Sequence, residues 1–315
     1  MVTVIGFIVL PITALVLYSV VLKDNVAAYG ISGLVSLQLI LLIGLLYGIN
    51  GERKKEIEKE FSFRSTDGYN FVAILAGTLL TFIFNNHLGM GSVVASALVA
   101  TISAIIIPKF AVPLHCGSIV GMASCLLFET HTHIAVAGMI AGAVFVLSKN
   151  TFNGFGGKLG ASALTGCILA SVFAGKGFLT GGIISGWDIE KYFVFYSVVA
   201  AVVTYILNVR LKHGPVLSSG IVGLLGGLIM PALFPEIGNT LAVMVICASY
   251  AGMSSRDRIP NEIYIAIAGL LTAFFFILSI PYFGGTGGKL GTLAFISCII
   301  IRGFLDLFDF ISVKK

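Results

Sequence analysis

Apolar stretches close to the ~20 residues needed to cross a bilayer recur from one end of this chain to the other, broken only by short polar, glycine or proline punctuation. Lipid offers the backbone no hydrogen-bond partner, so uniformly apolar segments of this length fold as helices; the in/out alternation of barrel strands is missing. A charged fraction of 10%, set against 57% hydrophobic residues and a mean hydropathy of +1.04, agrees. A water-soluble domain carries about 25% charge. The chain therefore reads as an all-α polytopic membrane protein with twelve spans, at 2–22, 27–49, 69–86, 90–107, 111–128, 132–148, 157–174, 191–209, 215–233, 238–254, 262–280 and 288–304. The first span lacks a basic n-region and a small-residue cleavage site, so it reads as a retained helix rather than a signal peptide.

The basic residues supply an orientation. With the N-terminus cytoplasmic, Arg53, Lys54, Lys55, Lys59, Arg64, Lys109, Lys149, Lys158, Arg210, Lys212, Arg256, Arg258, Arg302, Lys314 and Lys315 lie inside. Of the 19 basic residues this leaves Lys23, Lys176, Lys191 and Lys289 outside. The positive-inside rule favours that arrangement, which puts both termini in the cytoplasm and, on this expectation, the protein in the plasma (inner) membrane. Basic residues scattered over short loops give no stripe for nucleic acid. Trp187, Tyr192 and Phe193 read as an aromatic belt at the outer interface.

Two strings recur. Phe152-Asn153-Gly154-Phe155-Gly156-Gly157-Lys158-Leu159-Gly160 returns 131 residues later as Phe283-Gly284-Gly285-Thr286-Gly287-Gly288-Lys289-Leu290-Gly291. At the same offset, the segment Cys116–Ser124 matches Cys247–Ser255 at Cys, Ser, Gly, Met and the final Ser. Upstream, Thr81 and Asn85 align with Thr204 and Asn208, and Pro108 with Pro231, at an offset of 123. Ordered matches of this kind imply a duplicated architecture. Each copy holds five spans, 69–174 and 191–304, and an odd number inverts the second copy in the membrane. A hairpin (1–50), a basic cytoplasmic linker (51–68), an outer connection (175–190) and a cytoplasmic tail (305–315) complete the plan. The five-plus-five arrangement resembles that of urea channels, bile-acid-type carriers and sodium-bicarbonate carriers. No sequence motif is shared with them, and no residue is carried over.

Four glycines in seven residues disfavour helix before Lys158 and Lys289, so a helix should begin just after each string. A helix start bares N–H groups and the positive dipole end, glycines allow close approach, and a lysine adds charge. Gly154, Gly156, Gly157 and Lys158, with Gly285, Gly287, Gly288 and Lys289, are accordingly candidate substrate-binding residues. The competing role is close helix crossing with a snorkelling lysine. A nucleotide loop is excluded by spacing, because a phenylalanine stands where Walker A needs its first glycine and leucine follows the lysine. Ser118, Gly121 and Ser124, repeated as Ser249, Gly252 and Ser255, form a small polar stripe that either lines a path or packs helices. Thr81/Asn85 and Thr204/Asn208 read as caps or interhelical bonds.

Neither cysteines nor histidines indicate catalysis. Cys116/Cys247 and Cys167/Cys298 are repeat partners inside spans, read as small hydrophobes, and the partner segment Pro260–Tyr264 keeps none of the possible ligands of Glu129–His133 in register. All 14 acidic residues fall in loops or near span ends, which disfavours carboxylate-based cation coupling. The expected function is transport, by a carrier or a channel, of a small anion or neutral polar solute between two inverted repeats. No cofactor or metal is expected, and a coupling ion (Na⁺ or H⁺) is left open. The expected partners are the lipid bilayer and the solute, with self-association into a homo-oligomer compatible with the plan. The alternatives are a membrane-embedded enzyme acting on a lipid-linked or small substrate and a non-catalytic subunit of a membrane complex.

Overall fold

The structure is a computed structural model describing residues 2–56, 61–180 and 187–313. Lys59, Lys314 and Lys315 of the basic count, the middle of the 175–190 connection and the Trp187 side chain lie outside the described residues. Within them the fold is all α. The helices are α1 (Val2–Tyr29), α2 (Gly33–Glu56), α3 (Ser65–Phe82), α4 (Ser92–Ile106), α5 (Ala111–Gly121), α6 (His131–Leu147), α7 (Lys158–Phe173), α8 (Trp187–Tyr205), α9 (Pro215–Leu233), α10 (Gly238–Gly252), α11 (Glu262–Ser279) and α12 (Lys289–Val313). Six are long and apolar enough to cross a membrane: α1, α2, α3 with its continuation, α8 with its continuation, α9 and α11. Four shorter apolar helices, α4, α6, α7 and α10, accompany them.

Helix α5 ends early. At 11 residues it is about 17 Å long against a hydrocarbon core of about 30 Å. The expected span 111–128 is thus helical only to Gly121, and 238–254 only to Gly252. The physical cause is competition from side chains. Both α3 and α8 run on into a π-helical turn, Ile83–His87 and Ile206–Arg210, which presents an asparagine. Asn85 Nδ2 donates to the Met122 and Ala123 carbonyls, each at 3.3 Å, and Asn86 Nδ2 to Ala123 at 3.1 Å. Asn208 Nδ2 donates to Gly252 and Ser254 at 3.3 and 3.2 Å. Carbonyls freed at a helix end away from water need such partners. Thr81 and Thr204, expected like these asparagines to serve as caps or interhelical bonds, keep buried hydroxyls with no partner among the described residues.

The polar ends also differ from expectation. Helix α2 continues through Glu52 to Glu56, and α3 starts at Ser65 with a reciprocal Arg64–Asp67 cap, so both ends of the linker 51–68 are helical. Helix α12 extends to Val313, taking in the described part of the tail. Phe193 is fully buried 5.9 Å from Phe276, so it belongs to the core and not to an interfacial belt.

Packing falls into two similar sets. Helix α3 packs on α5 and α6, α4 on α5, and α6 on α7; likewise α8 packs on α10 and α11, α9 on α10, and α11 on α12. The sets meet through α7 against α12 and α4 against α9. Helix α2 lies along α12, where Gly44 and Gly48 face Gly303, and α1 packs on α6 and α7. Serines and threonines are buried among the helices while Ile5, Ile12, Ile105, Ile106, Phe173 and Leu228 face outward. That is the distribution expected of a surface solvated by lipid.

Candidate functional site

Helix α7 begins at Lys158 and α12 at Lys289, so both glycine-rich strings are the non-helical approaches anticipated from composition. Gly157 and Gly288 stand immediately before them at φ +79° and +94°, a left-handed conformation that favours glycine. The two helices cross at Gly160 and Gly291. A β-carbon on Gly160 would lie 2.4 Å from Gly291 Cα, so the backbones touch.

Each string packs into the other set of helices. A β-carbon on Gly156 would meet the Tyr250 and Ala251 carbonyls at 2.3 and 2.6 Å; one on Gly287 would meet Ile119 and Val120 at 2.3 and 2.4 Å. Ser255 N donates to the Gly154 carbonyl at 2.8 Å, and Ser124 N to the Gly285 carbonyl at 2.9 Å. These pairs are related by the same 131-residue offset seen in the sequence.

Two cavities flank the crossing. One, of about 310 Å³, is lined by Asp67, Lys149, Asn153, Gly154, Gly157, Lys158, Ile119 and Tyr250 among others. The second, of about 510 Å³, is lined by Ser124, Thr240, Phe276, Gly285, Thr286, Gly288, Lys289, Ile119 and Met122 among others. Ile119 borders both. Between them stand Ile119, Met122, Tyr250 and Met253, with the Tyr250 hydroxyl 3.6 Å from Met122 Sδ.

The polar contacts sort into two ends of the molecule. At the end holding the first cavity, Lys149 pairs with Asp67 at 2.5 Å, Arg258 with Glu52 at 2.6 Å, Arg210 with Glu262 at 2.6 Å, and Arg302 with Asp306. Arg258 Nε also donates to the Asn153 carbonyl at 2.7 Å and its guanidinium lies over Phe155. At the end holding the second cavity, Lys176 pairs with Glu129 at 2.6 Å, and the His87 and His131 rings stack at 4.9 Å. Lys176 beside Glu129 holds its carboxyl below the usual carboxylate range. Thr130 caps α6 and Asn261 caps α11, which is how those two loops are used.

The candidate residues divide on this geometry. Gly154, Gly157 and Lys158 line the first cavity; Gly285, Gly288, Lys289 and Ser124 line the second. Gly156 and Gly287 are instead pressed against carbonyls of the opposite set. Gly121 and Gly252 allow α5 and α10 to touch the backbones of α3 and α8, at 2.5 Å from Thr78 O and 2.4 Å from Ala201 O for an added β-carbon. Ser118 bonds to Ser96 at 3.0 Å and Ser249 to Ser219 at 2.8 Å, tying neighbouring helices. Ser255 serves through its backbone against Gly154.

Both lysines are engaged by the protein. Lys158 Nζ donates to the Ser148 carbonyl and to Asn153 Oδ1, each at 2.8 Å. Lys289 Nζ donates to Ser279 at 2.6 Å, Tyr282 at 2.7 Å and Ile280 at 3.4 Å. Each ammonium thus caps the carbonyls that end the preceding helix. Ile119, Met122, Tyr250 and Met253 were not singled out by sequence; the mismatch of Ile119 with Tyr250 inside otherwise similar strings was the available signal.

These features define a multi-pass integral membrane protein with a cavity on either side of the α7–α12 crossing. No protein-family model, curated protein or solved structure matches the chain.

Proposed function

We propose that this protein transports a small anion or neutral polar solute along a path between two inverted five-helix repeats, α3–α7 and α8–α12. One observation carries the reading: two cavities, each lined by one copy of the glycine-rich string, approach a common side chain, Ile119, from opposite ends. Inverted repeats with broken helices at their interface commonly form such paths, because each half can open one side. Helix packing and hydrogen bonds that recur at equal offsets support the repeat, and five helices in each set support its inversion. On the basic-residue count, the end with Asp67, Lys149 and Arg258 is cytoplasmic, and the plasma (inner) membrane is the proposed location.

Single cysteines test the topology. Gly284 is a poor labelling position because a β-carbon there meets Leu179 O at 2.3 Å, so Asn153 and Thr286 are chosen, in a chain whose exposed Cys125 is replaced. An impermeant maleimide should reach Asn153→Cys only from the cytoplasm and Thr286→Cys only from outside. Labelling of both from one side refutes the inverted arrangement.

A further inference from the structure

The two sets of helices keep the same serine pair beside the barrier, Ser96–Ser118 and Ser219–Ser249. Among the differences around that pair, two bear on the barrier. Tyr250 stands where the first copy has Ile119, and His115 stands where the second has Ile246. These two polar residues come from different copies yet meet, their rings 5.7 Å apart and tilted by 55°. Each is about 1% exposed. His115 Nδ1 lies 3.1 Å from Ser118 Oγ, whereas its Nε2 is buried without a hydrogen-bond partner among the described residues. The Tyr250 hydroxyl has Met122 Sδ as its neighbour, with Ser96 beside it. A buried polar nitrogen left unpaired is costly and calls for an explanation such as a missing water or ligand.

Fixed charge lies at the cavity walls and not on the four side chains between them. None of Ile119, Met122, Tyr250 and Met253 is ionisable near neutrality; the His115 imidazole stands beside Tyr250, and the ammonium groups at the two helix starts, held by carbonyls and Asn153, sit at the cavity walls. An ion stripped of water at such a barrier finds no countercharge. A neutral amide or alcohol finds a hydroxyl that can donate and accept, and an imidazole nitrogen.

We infer that the barrier selects neutral hydrogen-bonding solutes over ions, with the Tyr250 hydroxyl and His115 Nε2 as the groups such a solute meets between the cavities. This deepens, and rests on, the transport reading above. Tyr250 is then a specificity-determining residue in the path.

The full chain, purified and reconstituted in vesicles, provides the test. Urea and glycerol should enter at least about tenfold faster than into empty vesicles, while isotopically labelled nitrate and phosphate should enter no faster than the empty-vesicle control. Anion uptake equal to or faster than urea uptake overturns the inference and leaves the transport reading standing. Uptake of none of the four overturns both. Tyr250→Phe retains the ring and removes only the hydroxyl, so it should lower urea uptake about tenfold, the equivalent of one hydrogen bond. Unchanged uptake with an unchanged melting temperature removes Tyr250 from the assignment. The unmodified chain decides the solute class whether or not the variant folds.

Discussion

Replacing Lys289 by methionine separates a structural lysine from a ligand-binding one. The side chain keeps its apolar stem but loses the ammonium that holds Ser279, Tyr282 and Ile280. Two of those bonds are short, at 2.6 and 2.7 Å, and the third, at 3.4 Å, is weak. A hydrogen bond to a charged group contributes about 1.5–3 kcal/mol, so two give about 3–6 kcal/mol. Methionine avoids desolvating a charge, which offsets part of this and leaves about 3 kcal/mol of lost stability. That corresponds to a fall in melting temperature on the order of 5–10 °C. The assay follows from the cysteines. Cys116, Cys167, Cys247 and Cys298 are buried free thiols that react with a fluorogenic maleimide only on unfolding, once the exposed Cys125 is replaced. A Lys289→Met protein that melts within a degree of its parent, yet no longer takes up solute, would refute the capping role.

Three further outcomes follow from the geometry and the charges. Gly160→Val inserts a branched side chain where even a β-carbon lies 2.4 Å from the Gly291 backbone, so it should cost at least about 3 kcal/mol and collapse the yield of folded protein. Gly177→Ala, with open space around it, should stay within about 0.5 kcal/mol by the same thermal assay. Glu129 loses its proton more readily in the folded state because its hydrogen bond and charge interaction with Lys176 favour the carboxylate. A lowered folded pKa means stability that is present above the unfolded value and lost as pH falls. Glu129→Gln should therefore melt slightly below the parent at neutral pH, and the difference should narrow as pH falls below the unfolded carboxylate value of about 4.3. A gap that stays constant as pH falls from neutral through that range would assign the effect to something other than this ion pair.

Much of the fold was legible along the chain, and for local reasons. Apolar length dictates helices in lipid whatever they pack against, and four glycines in seven residues break a helix wherever they occur, so α7 and α12 start where composition places them. The ends of α5 and α10 were not legible. Nothing in Cys116–Phe128 breaks a helix as strongly as the glycine strings do. What ends it at Gly121 is a pair of asparagine amides from the end of α3 and a glycine carbonyl more than 150 residues away. The linker boundary moved for a similar reason, since the buried Glu52 of α2 pairs with the distant Arg258.

The candidate site divides along the same line. Sequence by itself determined an all-helical membrane chain, two related sets of motifs, and glycines at the helix starts, because hydropathy, backbone entropy and repetition are properties of neighbouring residues. Only tertiary structure decided which of those residues face a cavity, that the lysines are occupied by helix-end carbonyls, and that the Tyr250 and His115 rings meet. Those outcomes depend on which surfaces the crossing of α7 and α12 brings within hydrogen-bond reach. No pattern within either string encodes that approach.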